Sequence, residues 1–384
     1  MTVTSPKGFL ASGVAAGIKP SGRTDVALVV NTGPLSAAAG VFTSNRIKAA
    51  PVLWSQQVLK AGKVVAVVLN AGNANACTGS LGFQHTHRTA EEVGALIDAS
   101  SAEVAVCSTG LIGDYLPIDN LIAGVKTAHD ALSPTGGNDA AQAIMTTDTV
   151  SKQASVVAPS GWAIGGMAKG AGMLAPGLAT MLVVLTTDAV AEAGELDVAL
   201  RGATAKTFDR LDSDGCMSTN DTVLLMASGA SGIKPEPEEL AAAVEQVCGQ
   251  LAAQLIDDCE GASKVIAIEV KNAASEDEAL DVARAVSRSN LLKCAIHGQD
   301  PNWGRILAAV GTTEAVFDDD AIDVAINGVW VCRSSTIGDD RKSVDLSNRH
   351  VDITIDLHAG DAAATLLTND LTADYVHENS AYST

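Results

Sequence analysis

Two rhythms of apolar residues alternate along this chain. In the first, short β-branched blocks run unbroken: VVAVVLN (Val64 to Asn70), AEVAVCS (Ala102 to Ser108), TVLLMASG (Thr222 to Gly229) and KVIAIEV (Lys264 to Val270). Blocks of this length and composition read as buried strands. In the second, apolar residues recur every three or four positions. In EELAAAVEQVCGQLAAQLID, Leu240, Val244, Val247, Leu251 and Leu255 form one stripe, the mark of an amphipathic helix. Pro235 and Pro237 stand just ahead of it, where prolines favour a helix start. Residues 190–206 and 276–289 read the same way. Near the end, AIDVAINGVWV and VDITIDL alternate apolar with polar, as half-exposed strands do. There is no repeat period and no low-complexity tail. The pattern predicts an α/β or α+β protein, with sheets covered by helices.

Small residues gather where the strands stop. AGNANACTG (Ala71 to Gly79) follows the first block and TGLIG (Thr109 to Gly113) the second. GGMAKGAGM (Gly165 to Met173) reads as a permissive loop leading to APGLATMLVVLTTD, where Thr180 stands directly before the apolar run Met181 to Leu185.

Composition narrows the class. At 384 residues and 47% hydrophobic, the chain can bury a large core and predicts two or more subdomains. A formal charge of −20 repels phosphate backbones and argues against nucleic acid as a partner. Aromatic residues make up only 3%, leaving few platforms for stacked bases. The run Met181 to Leu185 is far short of a membrane span, and MTVTSPKGFL carries no charged segment followed by an apolar one, so no secretory signal is expected. The cysteines, seven and scattered without a CxxC pair, point to a reducing cytoplasm and away from a disulfide framework or a zinc site.

Several familiar motifs fail. GGMAKGAG lacks the order of a phosphate loop. No GxSxG elbow occurs. DSDG (Asp212 to Gly215) lacks the ligand spacing of a calcium loop and reads as a turn. His85 and His87 fall in a helical stretch on opposite faces, which suits surface histidines better than a metal. No metal site is expected. For Thr180, periodicity alone reads a strand-edge threonine. Chemistry supplies a second reading. A threonine hydroxyl becomes a good nucleophile when its own α-amine takes the proton, as in an N-terminal threonine, and that amine titrates near 8. An internal threonine reaches this state if the chain is cut ahead of it. Pro176 and Gly177 permit an unusual path, and Ala179 is too small to block attack on its carbonyl.

The set NAGNANACTG, CSTGLIG, MTTDT, GGMAKGAGMLAPGLATML, STNDT, EGASK, DPNWGR and ENSAYST, in this order from about residue 8 to the end, resembles the ornithine acetyltransferases, also called glutamate N-acetyltransferases of the cyclic arginine pathway. The resemblance implies an α/β fold with a self-processing N-terminal-threonine core, in which helices flank stacked β-layers, plus a smaller α/β C-terminal domain. It implies a cut between Ala179 and Thr180, giving an α chain (1–179) and a β chain that contributes 180–264 to the core and 265–384 as the C-terminal domain. Thr180 matches the nucleophile. Thr109 and Gly110 match the oxyanion hole. Thr147, Lys169, Thr180, Glu260, Asn379 and Thr384 match substrate-binding positions. Read without the family, Lys169 and Glu260 are surface ions, and Thr149 competes with Thr147. The chain departs from the family pattern at Ser263, often Thr, and at Cys216, commonly a small residue. Cys216 reads as a buried small apolar side chain in preference to a free thiol near the site.

The reaction so implied is ping-pong acyl transfer without a cofactor. Acetyl passes from N²-acetyl-L-ornithine to Thr180 and then to L-glutamate, with the Thr180 α-amine as base. Some family members also take acetyl from acetyl-CoA. With no phosphate-cradling loop evident, the single activity is the expectation. Assembly as α2β2 or larger is implied. An N-terminal-nucleophile amidohydrolase or aminopeptidase would share the acyl-enzyme but pass it to water. A non-catalytic binding protein would stay uncut.

Overall fold

The computed structural model describes residues 2–174 and 181–381. Ala179, Thr180 and Thr384 lie outside the described residues. The chain groups into two compact units. The first runs through Asp209 and adds Met217–Asp258; the second takes Arg210–Cys216 and the chain from Cys259.

The first unit carries strands β1 (Phe9–Val14), β2 (Val26–Asn31), β3 (Ala37–Phe42), β4 (Ala66–Asn73), β5 (Val104–Leu111), β6 (Lys152–Val157), β7 (Ala163–Lys169), β8 (Leu182–Thr187) and β9 (Thr222–Ala227). Its helices are α1 (Ala50–Val58), α2 (Gly79–Ile97), α3 (Ile118–Asp130), α4 (Gly137–Ala143), α5 (Ala193–Lys206) and α6 (Pro237–Asp257). One sheet has the order β1-β2-β4-β5 and the other β3-β9-β8-β7-β6. Strands β4–β5 and β8–β9 pair parallel.

Strand periodicity explains the layering. Successive side chains point to opposite faces, and the apolar runs are apolar on both. Ala27 and Val29, Val67 and Leu69, and Ala105 and Cys107 share one core with Met167, Leu182, Val184, Leu224 and Met226 of the other sheet. The alternate residues Val26, Leu28, Val68, Val104 and Val106 pack outward on Ala90, Val93, Leu121 and Val125 of α2 and α3. Helices α5 and α6 pack on the five-stranded sheet. Two stacked sheets between helices are the α/β core expected from the motifs.

One segment departs from expectation. Of Gly165–Met173, read as a loop, the part through Lys169 belongs to strand β7. The glycines serve packing. A Cβ at Gly165 would lie 2.2 Å from the Thr2 carbonyl oxygen, and one at Gly166 would lie 2.6 Å from Leu185 Cδ2. Their absence lets neighbours close onto the backbone.

The second unit contains α7 (Glu276–Ser287), α8 (Asn290–His297), α9 (Trp303–Val310) and α10 (Ala373–Ala381), with strands β10 (Val265–Ala273), β11 (Asp323–Ile326), β12 (Val329–Arg333), β13 (Thr336–Ile337), β14 (His350–Asp356) and β15 (Ala362–Asn369). The sheet order is β13-β12-β11-β14-β10-β15. Ile266, Ile268, Val270, Val351, Ile353 and Ile355 join side chains from α7, α8 and α9 in one core, while Glu269 and Asp352 between them face solvent. This one-sided sheet matches the alternation in the sequence.

Candidate active site

The same alternation that builds the core aims two polar residues into it. On β5, Ala105 and Cys107 face the inter-sheet layer, and Thr109 follows at the next inward position. On β7, Met167 faces inward and Lys169 follows. Both lie at the strand ends, and Lys169 Nζ donates to Thr109 Oγ1 at 3.1 Å. Thr109 is 1% exposed and Lys169 2%, so Lys169 is no surface ion. Gly110 has φ +131° and pairs across the ladder with Gly72. A Cβ there would sit 2.3 Å from Gly72 C, so only glycine allows this approach of β5 to β4.

A buried charge cluster supports Lys169. Asp148 Oδ1 accepts from Lys152 Nζ at 2.6 Å and from Gly170 N–H at 2.7 Å, and its Oδ2 accepts from Thr146 N–H at 2.9 Å. Burial alone would raise the Asp148 carboxyl. The ammonium groups of Lys169 and Lys152 and the Gly170 N–H outweigh it and bring the pKa down to about 2. Lys152 also donates to Asp258 Oδ2 at 2.5 Å. Lys19 Nζ donates to Thr24 O at 2.6 Å and Ala143 O at 3.1 Å. Burial, then Arg23, lowers its pKa to about 8.

Thr147 is half-buried on the loop between Thr146 and Asp148. Thr149 is exposed, and its hydroxyl donates to Asp258. The competing threonine of the loop thus bonds Asp258.

Buried amides fix the backbone beside Thr109. Asn220 Nδ2 donates to Ser108 O at 2.8 Å and to Ala74 O at 2.6 Å. Ser108 Oγ donates to Asn70 Oδ1 at 2.6 Å, and Asn70 Nδ2 donates to Asn73 O at 2.9 Å. Next to Asn220, the fully buried Asp221 accepts the Met181 N–H on Oδ1 at 3.0 Å. Burial pushes its pKa well above the carboxylate range, against the pull of that N–H, the Ser218 and Thr43 hydroxyls and Lys169. These residues stand in the quoted motifs, but their roles are not legible there. The available clue is a polar residue abutting a wholly apolar run, as Asn70 and Asp221 do.

Glu260 and Asn379 come together within the second unit, where Asn379 Nδ2 donates to Glu260 Oε2 at 3.0 Å. Gly261, at φ +60°, allows this. A Cβ there would lie 2.2 Å from Tyr375 N. Thr372 Oγ1 also bonds Gly261 O at 2.6 Å. Ser263 caps Asp370 through its hydroxyl and its N–H. Cys216 corrects the expectation of a buried apolar residue, for it is exposed. It sits beyond an Asp212–Gly215 turn, in which Gly215 N–H donates to Asp212 Oδ1 at 3.0 Å. Among the described residues, no group of three or more His, Cys, Asp or Glu could hold a metal ion. No helix of the described residues is long and apolar enough to cross a membrane.

The fold and its polar centre define a helix-flanked, two-sheet α/β protein with a buried lysine–threonine pair and a left-handed glycine at the strand ends. The chain belongs to the ArgJ family, whose model matches residues 10–384. The arginine biosynthesis bifunctional protein ArgJ of Streptomyces coelicolor is 66% identical over 383 residues, covering 100% of both chains. That of Mycobacterium leprae is 57% identical over 388 residues, covering 99% of this chain and 95% of the relative. A solved ornithine acetyltransferase from Mycobacterium tuberculosis, complexed with ornithine, is 56% identical, covers 47% of this chain and 96% of its own, and has a TM-score of 0.45. The resemblance drawn from the motifs is borne out.

Proposed function

We propose that the chain is an ornithine acetyltransferase of arginine biosynthesis. It moves acetyl from N²-acetyl-L-ornithine to L-glutamate through acetyl-Thr180, after self-cleavage at Ala179–Thr180. The observation that carries the site assignment is the buried Lys169–Thr109 contact beside Gly110. A tetrahedral oxyanion needs donors placed in advance in a dry site, each typically contributing ~3 kcal/mol. The Thr109 hydroxyl, held by Lys169, and the backbone at Gly110 supply that setting. The Thr180 α-amine serves as base. Thr147, Lys169, Glu260, Asn379 and Thr384 are the substrate contacts that the family resemblance implies. Glu260 offers a carboxylate to the cationic side chain of ornithine, and Lys169 an ammonium to an anionic group. Exchange of one amide for another requires no energy source. The relatives' description as bifunctional supports acetyl-CoA as a second donor.

The two products of cleavage stay associated as an αβ unit, with α2β2 or larger assembly. A cytoplasmic setting suits the cysteines, all of which are free thiols.

The test is the denatured intact mass of wild type and Thr180→Ala, with ornithine release assayed with and without glutamate. The expected result is two wild-type fragments, 1–179 and 180–384, one full-length variant, and activity lower by about 10³ or more. An active, uncut wild type removes the α-amine base and with it this mechanism. Release indifferent to glutamate moves the chain to the amidohydrolases.

A further inference from the structure

Two cations on one turn of the first unit have no carboxylate partner. Lys19, between β1 and β2, is 7% exposed, and its ammonium meets the carbonyls of Thr24 and Ala143. An ammonium carries three donors, so one proton is left over. Arg23 is exposed and gives one N–H to Thr146 O at 3.3 Å, which leaves most of its fork unused. Among the described residues neither cation forms an ion pair, although the chain as a whole carries −20.

The turn is held from within. The buried carboxylate of Asp25 accepts the N–H groups of Ala16, Ile18 and Lys19 at 2.6, 2.6 and 2.9 Å, so its oxygens are spent on backbone. Lys19 and Arg23 then line one cavity of about 410 Å³, together with Gln142, Met145 and Ser151. That volume is in the ~300–1,000 Å³ range of small-molecule sites. Burial, then the nearby Arg23 charge, depresses the Lys19 pKa, and an anion shared by the two cations would relieve both.

The cavity borders the groups assigned to the reaction. A Cβ on Gly72 would lie 3.2 Å from Lys19 Cγ, and Gly72 pairs with Gly110. Arg23 bonds the carbonyl of Thr146, next to Thr147. The two substrates differ in one charge. N-acetylornithine and glutamate share an α-carboxylate, but one side chain is cationic and the other anionic. A carboxylate offered to the ornithine side chain, as Glu260 is, repels that of glutamate. The acceptor therefore needs a cationic subsite of its own. The phosphates of coenzyme A stand a full pantetheine arm from the acyl carbon, too far for a lysine packed on the partner of Gly110.

We propose that Lys19 and Arg23 form the subsite for the side-chain carboxylate of the acceptor and so select glutamate over amino acids with neutral side chains. This rests on the acyl-transfer reading above.

The experiment measures initial rates of full-length enzyme with each substrate varied against a saturating partner, and with glutamine in place of glutamate. In a ping-pong reaction kcat/KM for each substrate reports its own half-reaction. Arg23→Gln and Lys19→Met are expected to lower kcat/KM for glutamate by about tenfold or more, the scale of a lost charge-assisted hydrogen bond, and to lower that for N-acetylornithine much less. Wild type should prefer glutamate to glutamine, and in both variants the preference should shrink by a similar factor, which a loss of packing does not produce. Arg23→Lys keeps the charge and should keep most of the preference. An unchanged preference in Arg23→Gln would overturn the proposal, and the exposure of Arg23 keeps this arm open if Lys19→Met does not fold. Equal losses for both substrates overturn it as well. A loss confined to acetylation from acetyl-CoA gives the cations to that donor's phosphates and overturns it too. Wild type that releases ornithine without regard to glutamate sinks the transferase reading instead, which keeps the two failures apart.

Discussion

Lys169 in the first unit and Lys264 in the second are both buried lysines at strand ends, 2% and 6% exposed. Lys264 donates to the carbonyls of Leu346, Ser347 and Asn348 at 2.6, 3.1 and 2.7 Å. Three donors meet three acceptors of one loop, and its backbone N–H goes to Asp370 Oδ1 at 2.8 Å. Lys169 instead donates to a side-chain hydroxyl on another strand and stands among Asp148, Asp221 and Lys19. Burial of a lysine therefore does not mark chemistry. Lys264 is a pin, because carbonyls of a folded loop cannot change partners. Lys169 meets groups whose protonation and contacts can change in a reaction.

Breaking each lysine should separate the two roles. Lys169→Met is expected to cut kcat/KM by about 10²–10³, the scale of a lost oxyanion-type donor, as measured by initial rates with glutamate saturating. If that activity survives within a few-fold, the pair with Thr109 is merely structural. Lys264→Met should do the reverse. Buried carbonyls left without donors cost about 1–3 kcal/mol each, so denaturant melts should show roughly 3 kcal/mol or more lost. The kcat/KM of the folded fraction should stay near wild type.

Acid sharpens the contrast further. The depressed Asp148 pKa of about 2 lies below the ordinary carboxylate value of ~3.9. Its contribution is present above that unfolded value and is lost as pH falls toward 2. Wild type should lose about 2 kcal/mol of stability between roughly pH 4 and pH 2 through this group, and Asp148→Asn should lack that part of the slope. A pH-stability curve on both proteins measures it.

The smallest effect separates the two threonines of the loop. Thr149→Ala forfeits the bond to Asp258 and should cost about 1 kcal/mol of stability with KM unchanged. Thr147→Ala should leave stability in place and raise KM for N-acetylornithine several-fold. The opposite pattern would return the substrate contact to Thr149.

How far these roles were legible varies from residue to residue. Thr109 and Lys169 lie on apolar strands at inward positions, so alternation alone aims them at the core once the strands are recognised. The asparagine network is different. Asn220 reaches Ala74 and Ser108, partners 146 and 112 positions away, and no spacing rule encodes a bond across that distance. Asp148 reads as one more turn residue in MTTDT, and its burial depends on Lys152 and Gly170 arriving from β6 and β7. GGMAKGAGM misled for a related reason: glycine signals a loop locally, but close packing on Gly165 and Gly166 makes a strand of it.

The sequence by itself determined the helix and strand rhythm, the family, and the residues that match its motifs, because these depend on local periodicity and on ordered side-chain types. Only the tertiary structure decided which polar residues are buried together, which of two neighbouring threonines bonds Asp258, and which of two buried lysines stands among other ionisable groups. Those are questions of distance and dielectric, and a partner's charge enters only when the fold brings it within a few ångströms.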